Sequence, residues 1–196
     1  MCAARPRGTG TALPRLLPVA LSLLTLAPHA HAEDAARTEV SRSGPLVNVR
    51  STIEAAAPRK ICYEVLADFD RLAEFIPGMQ SSDIVGPPGE PLLLRQVGHA
   101  KVGFVEYGFD VTLAVTEDPP RRISFSRVAG NLEQMRGSWQ VEGDSFRCRI
   151  DYRADIEPAF WVPPLVGPLL MRRQVEQQID GLVAEIERRA LAGPAR

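Results

Sequence analysis

The longest run of helical periodicity lies near the C terminus of the chain. After Pro168 the run to Leu191 contains a single breaker, Gly181. Apolar residues recur there at the i, i+3, i+4 and i+7 spacing of an amphipathic helix with one buried face. They are Leu169, Leu170, Met171, Val175, Ile179, Leu182, Val183 and Ile186. The polar side carries Glu176, Gln177, Asp180, Glu185, Glu187 and Arg188. The pattern predicts a helix from Pro168 to about Ala190, whose stripe needs a broad apolar partner.

The middle of the chain has a different periodicity. From Met79 to Pro158 apolar and polar residues alternate with a period of two, which predicts strands. Turn signals such as Pro119-Pro120 and Gly143-Asp144 divide the region into six strands in hairpin succession. The last strand is the clearest, and its predicted inward residues are Phe146, Cys148, Ile150, Tyr152, Ala154 and Ile156. Successive hairpins predict an antiparallel meander rather than a doubly wound α/β sheet.

A strand and two short helices precede this meander. Residues 47–56 alternate as a half-buried strand. Pro58 begins one short helix, and a second, capped by Asp68 or Asp70, ends at Pro77-Gly78. The predicted fold class is therefore α+β: a curled antiparallel sheet of about seven strands around a long C-terminal helix, with two short helices after the first strand. Because a strongly twisted sheet curls around such a helix, we expect a cavity between them.

The first 32 residues have the composition of a secretory signal peptide. Three arginines precede the apolar run 16–27, and Ala30-His31-Ala32 offers a cleavage site. The run is short for a transmembrane helix, which favours cleavage after Ala32 over retention as an anchor. We therefore predict an exported protein, periplasmic in a Gram-negative bacterium. Its predicted parts are a flexible leader at 33–46, one domain at 47–191 and a tail at 192–196.

Cleavage would leave few residues suited to catalysis. It removes three arginines and no acid from the 23 basic and 24 acidic residues, so the mature net charge would be about −4. The scattered arginines give no indication of nucleic-acid binding. One histidine, His99, and two cysteines, Cys62 and Cys148, remain. The sequence contains no zinc-ligand spacing or nucleotide-binding motif, and we predict no catalytic residue, metal or cofactor. Export would permit a disulfide, but Cys62 is predicted on a helix and Cys148 in a strand, and we do not predict a bridge.

Three local motifs resemble those of a known superfamily. Residues 65–70 (VLADFD) and 74–78 (EFIPG) resemble the segment that joins its first two helices. Gly137-Ser138-Trp139 resembles its mid-sheet G-x-W, and Gly167-Pro168-Leu169 resembles the start of its closing helix. With the predicted order of elements, residues 47–191 resemble the START-like helix-grip superfamily, which also contains the Bet v 1 allergens. The likeness is greatest to the polyketide cyclase/dehydrase branch, which includes coenzyme-Q-binding START-domain proteins. Because the shared residues are mostly structural, this likeness is specific for fold and weak for function.

The resemblance implies a pocket between the concave face of the sheet and the C-terminal helix. An aromatic-rich concavity with a few polar groups is typical of small-molecule sites. The residues expected to line it are Phe75, Val97, Tyr107, Phe109, Phe125, Met135, Trp139, Tyr152, Trp161, Leu165, Leu169, Arg172 and Val175. The alternative for each residue is that it simply fills the core.

A few of these residues offer polar contacts. Tyr107 and Tyr152 are predicted to project inward, where a buried hydroxyl would bind a ligand oxygen, another tyrosine or the backbone. Arg172 would either turn inward to meet an anionic head group or remain solvated. Trp161 would close one end of the pocket or dock transiently on a membrane surface. His99 is expected in an exposed loop at a strand end.

Two functions fit these expectations. In the first, the chain is an exported binding or transfer protein for an apolar small molecule such as a lipid, quinone or polyketide-like compound. In the second, it is an aromatase/cyclase-type enzyme whose tyrosines and arginines orient a ring closure or dehydration. The binding function is favoured, because cyclases commonly act in the cytoplasm and the sequence offers no well-placed general base beyond His99 and the tyrosines. A partner-binding adaptor is a third alternative, and the sequence does not predict the oligomeric state.

Overall fold

A computed structural model describes residues 36–89, 91–102, 105–159 and 167–193. The strands are β1 (Ala36–Ser43), β2 (Leu46–Ala55), β3 (Met79–Val85), β4 (Leu92–Val102), β5 (Val105–Asp118), β6 (Arg122–Gly130), β7 (Leu132–Gly143) and β8 (Cys148–Pro158). The helices are α1 (Arg59–Leu66), α2 (Leu72–Phe75) and α3 (Gly167–Ala192), with a 3-10 turn at Phe69–Arg71 before α2. The predicted signal peptide lies outside the described residues. Within the described ranges, no helix has the length and hydropathy needed to cross a membrane.

The strands form one antiparallel sheet in the order β1-β2-β8-β7-β6-β5-β4-β3. Strands β3 to β8 pair with their neighbours in chain order, as the turn signals predict. Strand β2 then pairs with β8, which places the start of the domain beside the end of the meander. Helix α3 contacts β1, β2 and β4, so the sheet curls around it from both sides. The predicted α+β helix-grip fold is confirmed.

The prediction of a flexible leader at 33–46 is wrong for the part that the structure describes, because that part contains β1. Strand β1 pairs with β2 along its whole length, from Ala36 opposite Ile53 onward. A hairpin turn at Gly44, with φ of +61°, joins the two strands. The hydroxyl of Thr38 is buried within 2.8 Å of the Ser51 hydroxyl, which satisfies both polar groups. The strand is short of apolar residues because it forms an edge of the sheet, and the sheet therefore has eight strands rather than seven.

The core packs the predicted faces of β2 and α3 together. Val47, Val49 and Ile53 of β2 are at most 1% exposed, as their alternation predicts. In α3, Ile179, Leu182 and Ile186 are at most 2% exposed, and Val183 is 8% exposed. These positions lie from the middle of the helix toward its C terminus, and burial of each such side chain contributes about 1.5–3 kcal/mol. The fully packed part of the α3 stripe therefore lies toward its C terminus.

A buried cluster of charges fastens α3 to the end of α1. Glu185, predicted on the polar side, has a side chain only 8% exposed and accepts hydrogen bonds from Arg188 at 2.7 Å and Arg189 at 2.6 Å. Arg189 also donates to Asp68, directly after α1, at 2.5 Å. The hydrogen bond from Arg188, and then that from Arg189, hold the pKa of Glu185 at about 2. The prediction that Glu185 lies on the polar side of the helix is wrong, because hydrophobic periodicity cannot show that neighbouring arginines neutralise a buried acid.

A disulfide between Cys62 of α1 and Cys148 of β8 corrects the expectation that these residues would not be bridged. The placement of Cys62 on a helix and Cys148 in a strand is itself confirmed. The two residues meet because α1 packs against β7 and β8, and the backbone N–H of Arg59 donates to the carbonyl of Asp144 in the β7–β8 turn. Both cysteines are buried. This tertiary packing could not be read from the separation of 86 residues.

Phe146, predicted to face inward, lies in the β7–β8 turn and is 79% exposed. The carboxylate of Asp144 accepts hydrogen bonds from the backbone N–H groups of Phe146 and Arg147, at 2.7 and 3.0 Å. These bonds hold the pKa of Asp144 below its usual range. The side chain of Asp144 thus organises the turn and delays the start of β8 to Cys148, which leaves Phe146 outside the sheet.

The charge cluster makes stability depend on pH. We expect Glu185→Gln to lower the free energy of unfolding at pH 7 by about 2–3 kcal/mol, because two arginines lose a buried counter-charge. Since the folded-state pKa of Glu185 lies below its ordinary value of 4.5, the wild-type contribution is present above about that pH. It is lost as the pH falls toward about 2, so the difference between variant and wild type should narrow over that range.

Denaturant unfolding at pH values from 2 to 7 measures this effect, in ~1-unit steps. The matched control is Glu187→Gln, since Glu187 is exposed on the same helix two residues away. We expect the control to follow the wild-type profile. An E185Q variant as stable as wild type at pH 7, or with the same pH profile, would contradict the role assigned to the cluster.

Candidate ligand-binding cavity

A cavity of about 260 Å³ lies between the concave face of the sheet and helix α3. Strands β4 to β8 supply most of its wall, and α3 contributes Met171, Gln174, Val175, Gln178, Ile179 and Leu182. Residues from the end of α1 to the start of β3 close another side, among them Leu66, Leu72 and Ile76. The volume lies just below the range of about 300–1,000 Å³ that is typical of small-molecule sites. Helix α3 therefore borders the cavity from Met171 to Leu182, whereas Val183 and Ile186 nearer its C terminus belong to the packed core.

Three aromatic side chains form a continuous wall of the cavity. Trp139 of β7 and Tyr152 of β8 are paired across the sheet, and their ring centroids lie 4.0 Å apart with 26° between the planes. The ring of Phe125, on β6, also lies near Tyr152, at 6.4 Å between centroids and 23° between planes. The three rings share one face because each residue has the inward phase on its strand. The wall presents stacked aromatic surface, which suits flat apolar groups.

Two glycines make room for aromatic side chains that cross to the neighbouring strand. Gly137 is paired with Phe125, and a Cβ atom at Gly137 would lie 2.6 Å from Cζ of that ring. Gly98 is paired with Phe109 in the same way, and its Cβ would also lie 2.6 Å from Cζ of the ring. A side chain at either glycine would displace a cavity-lining ring. The glycine of the G-x-W motif therefore has a structural role in the site.

Asn131 holds the strand that carries Tyr107 and Phe109. Its side-chain amide donates to the carbonyl of Gly108, and its side-chain oxygen accepts from the backbone N–H of Asp110, both at 2.9 Å. The backbone N–H of Asn131 also donates to the carbonyl of Asp110. The side chain thus supplies strand-like hydrogen bonds next to the lining residues. The sequence indicates only a turn at Gly130-Asn131, because this pairing spans more than twenty residues.

Every side chain of the described lining is uncharged. Its polar groups belong to Gln96, Tyr107, Trp139, Tyr152, Gln174 and Gln178, and the remaining residues are apolar. The amide nitrogen of Gln96 lies 3.4 Å from the Ser82 hydroxyl. Among the described residues no hydrogen bond involves the hydroxyl of Tyr152, and burial raises the pKa of that group. The cavity thus combines an apolar surface with a protonated phenol that has no hydrogen-bond partner in the part of the chain that the structure describes.

Seven residues predicted to line the pocket border the cavity: Tyr107, Phe109, Phe125, Met135, Trp139, Tyr152 and Val175. Six of them lie on strands, where the period of two determines the face. Trp161 and Leu165 lie outside the described residues. The geometry shows that these seven residues border a cavity. That they contact a ligand remains a prediction.

Phe75 and Val97 do not border the cavity. The ring of Phe75 packs beside the guanidinium of Arg189, whose Cζ lies 5.9 Å from the ring centroid. On β4, Leu94 and Gln96 face the cavity, so Val97 has the opposite phase. The three consecutive leucines at 92–94 conceal this phase in the sequence.

Leu169 and Arg172 also lie away from the cavity. Leu169 is 54% exposed in the first turn of α3. Two residues correspond to about 200° around a helix, so Leu169 lies opposite the lining residue Met171. Arg172 donates to Glu176, one turn further on, at 2.7 Å and is half exposed. Of the two alternatives for Arg172, the structure shows the solvated one.

His99 lies within β4 rather than in the exposed loop that the sequence suggests. Its side chain is 35% exposed, its Nδ1 atom is buried without a hydrogen bond, and its Nε2 lies 3.9 Å from the Glu106 carboxylate. The residue does not border the cavity. Among the described residues, no group of three or more histidines, cysteines or acids is arranged to hold a metal ion.

The family model described as "Polyketide cyclase / dehydrase and lipid transport" matches residues 55–183. The chain belongs to this family. The match spans most of the domain and includes the seven cavity-lining positions named above. None of the curated proteins matches the chain significantly in sequence.

Solved structures agree with the fold. A Streptomyces aromatase/cyclase, Zhui, is 21% identical with a TM-score of 0.59, covering 76% of this chain and 99% of its own. A START superfamily protein from Mycobacterium smegmatis is 17% identical with a TM-score of 0.62, covering 72% and 97%. A STAR-related lipid transfer protein from Xanthomonas axonopodis is 12% identical with a TM-score of 0.62, covering 81% and 97%. These likenesses confirm the START-like fold and leave the ligand and reaction open.

The glycine under Phe125 provides a test of how the aromatic wall is built. We expect Gly137→Ala to lower the free energy of unfolding by about 1–3 kcal/mol, because the new methyl group meets the Phe125 ring and the backbone of β8. Gly108→Ala is the matched control, since its Cβ would have only the Gly98 carbonyl oxygen nearby, at 3.9 Å. The control should be neutral or more stable by up to about 1 kcal/mol. Equal stability of the two variants in denaturant unfolding would contradict this packing.

Proposed function

We propose that the protein is an exported binding or transfer protein that holds an apolar small molecule, such as a lipid, quinone or polyketide-like compound, in the cavity between the sheet and α3. The observation that carries this proposal is the cavity itself, lined by apolar and aromatic side chains with a few uncharged polar groups. Removal of apolar ligand surface from water favours binding in such a site by roughly 25 cal/mol per Å².

The family supports the same substrate class. Its description joins cyclases with lipid transport, and similar structures include an aromatase/cyclase and a lipid transfer protein. Both activities require a site that accepts a largely apolar molecule. Apolar ligand binding is therefore the property that this chain is most readily expected to share.

An aromatase/cyclase-type enzyme is the alternative function. The observation that favours it is Tyr152, which borders the cavity and whose hydroxyl forms no hydrogen bond with the described residues. General acid–base catalysis is most efficient with a group whose pKa lies near the working pH, and burial moves the pKa of this phenol further away. Arg172, the other group considered for this role, pairs with Glu176 outside the cavity. Binding is therefore the better-supported function.

Two observations support export. The first 32 residues have the layout of a cleavable signal, and the two cysteines that follow are joined to each other in a buried disulfide. Disulfides persist in oxidising compartments such as the periplasm and are rare in the cytosol. The bridge also links α1, which borders the cavity at Leu66, to β8, which carries Tyr152. Oxidation would thereby stabilise the arrangement that forms the site.

The test is native mass spectrometry of the full chain, produced with its own leader in a host that can export it, followed by organic extraction. We expect an apolar molecule in about one-to-one ratio, released by the solvent. The intact mass should correspond to cleavage after Ala32 with two fewer hydrogens than the reduced chain. A ligand-free protein that also fails to bind any molecule from a lipid extract of the host would overturn the binding proposal. An uncleaved or cytoplasmic chain would overturn export alone.

A pair of variants on α3 locates the bound molecule. Val175→Phe adds volume at a position that borders the cavity, and we expect it to abolish co-purification of the ligand. Ala184→Phe adds the same group at an exposed position of the same helix and should leave the ligand in place. Thermal unfolding of both variants establishes that they are folded. Equal ligand content in the two variants would place the ligand elsewhere.

A further inference from the structure

We infer that the cavity selects an uncharged ligand carrying a hydrogen-bond acceptor, such as a carbonyl oxygen, and that the hydroxyl of Tyr152 is the donor that recognises it. The inference rests on the proposed binding function and specifies its ligand class. It assigns Tyr152 a specificity role that the shape of the cavity alone does not provide.

The three tyrosines of the chain differ in what their hydroxyls do. Tyr63 of α1 donates to the carboxylate of Glu117 at 2.6 Å, so that its hydroxyl is used within the protein. Tyr107 borders the cavity and has further interactions within the fold. Tyr152 borders the cavity, and among the described residues no hydrogen bond involves its hydroxyl. The residue is half-buried, so its hydroxyl can donate a hydrogen bond to an acceptor on a ligand in the cavity.

The position of the Tyr152 ring makes it a fixed donor. Trp139 stacks on the ring at 4.0 Å and Phe125 flanks it at 6.4 Å, which restricts its rotation. Burial raises the pKa of the hydroxyl, so it keeps its proton throughout the physiological pH range and acts as a donor. A donor held in place by its neighbours loses little conformational freedom when a ligand binds.

The same lining disfavours an ionised ligand. All the side chains that border the cavity in the described ranges are uncharged, so a carboxylate or phosphate placed inside would lack a counter-charge there. Transfer of an unpaired anion from water into such surroundings is strongly unfavourable. Two arginines adjoin lining residues of α3 in sequence: Arg172 is paired with Glu176, and Arg173 is exposed. A neutral oxygen acceptor meets the Tyr152 hydroxyl without this penalty.

Three probes of nearly the same shape test the inference: naphthalene, its methyl ketone 2-acetonaphthone, and 2-naphthoate. Titration calorimetry at pH 7 with the full exported protein, freed of co-purified molecules, measures each dissociation constant. We expect wild type to bind the ketone about three- to tenfold more tightly than naphthalene, which is the net effect of one neutral hydrogen bond. Naphthoate, ionised at this pH, should bind no more tightly than naphthalene.

The variants Tyr152→Phe and Tyr63→Phe test which tyrosine hydroxyl is responsible for the preference for the ketone over naphthalene. We expect Y152F to bind the ketone no more tightly than naphthalene, with no decrease in melting temperature because none of the described residues forms a hydrogen bond with the Tyr152 hydroxyl. Y63F should keep the ketone preference while losing stability, because its hydrogen bond to Glu117 is removed. Y107F, which changes the other tyrosine of the cavity, should also keep the preference.

The outcomes separate this inference from the function on which it rests. Three results would each overturn the inference and leave apolar binding intact. The first is saturable binding of naphthalene and the ketone with equal affinity. The others are a ketone preference that survives in Y152F and binding of naphthoate as tight as that of the ketone. If the preference for the ketone were lost in Y107F but kept in Y152F, the donor would be Tyr107, and the inference would be wrong. Absence of saturable binding for all three probes would overturn both the inference and the proposed function.

Discussion

The structure depends on burying one side of a straight 26-residue helix against a sheet that curves. A twisted sheet cannot follow a straight helix closely along its whole length. From the middle of α3 toward its C terminus, Ile179, Leu182 and Ile186 are almost fully buried, and this contact supplies much of the core. In the N-terminal half, Met171 and Val175 face the cavity. The helix thus anchors the fold toward its C terminus and forms a wall of the site toward its N terminus.

The packed part of α3 also fixes the segment that closes the cavity. Glu185 and Arg189 join the helix to Asp68 at the end of α1, and the ring of Phe75 in α2 packs beside Arg189. The disulfide holds α1 to β8 from the other side. The cavity is therefore bordered by elements that are each fastened outside it.

The sequence predicts the fold well because its signals are periodic and local. Alternation assigns Trp139 and Tyr152 to one face of the sheet, and the turn signals define the order of the strands. Prediction from the sequence fails where tertiary contacts override a local pattern. The edge strand β1 is mostly polar, with only Ala36 and Val40 as apolar residues on its inward face, and the phase of Val97 is hidden by the preceding leucines. The neutralisation of Glu185 and the pairing of Cys62 depend on partners that only the fold brings together.

The central claim is that the sheet and α3 enclose an open apolar cavity rather than a filled core. Crystals of the protein equilibrated with xenon test it most directly, because xenon enters apolar cavities and shows strong electron density. We expect xenon, or a retained apolar ligand, in contact with Met135, Trp139 and Val175. A crystal structure in which these side chains meet one another, with neither xenon nor ligand between them, would contradict it.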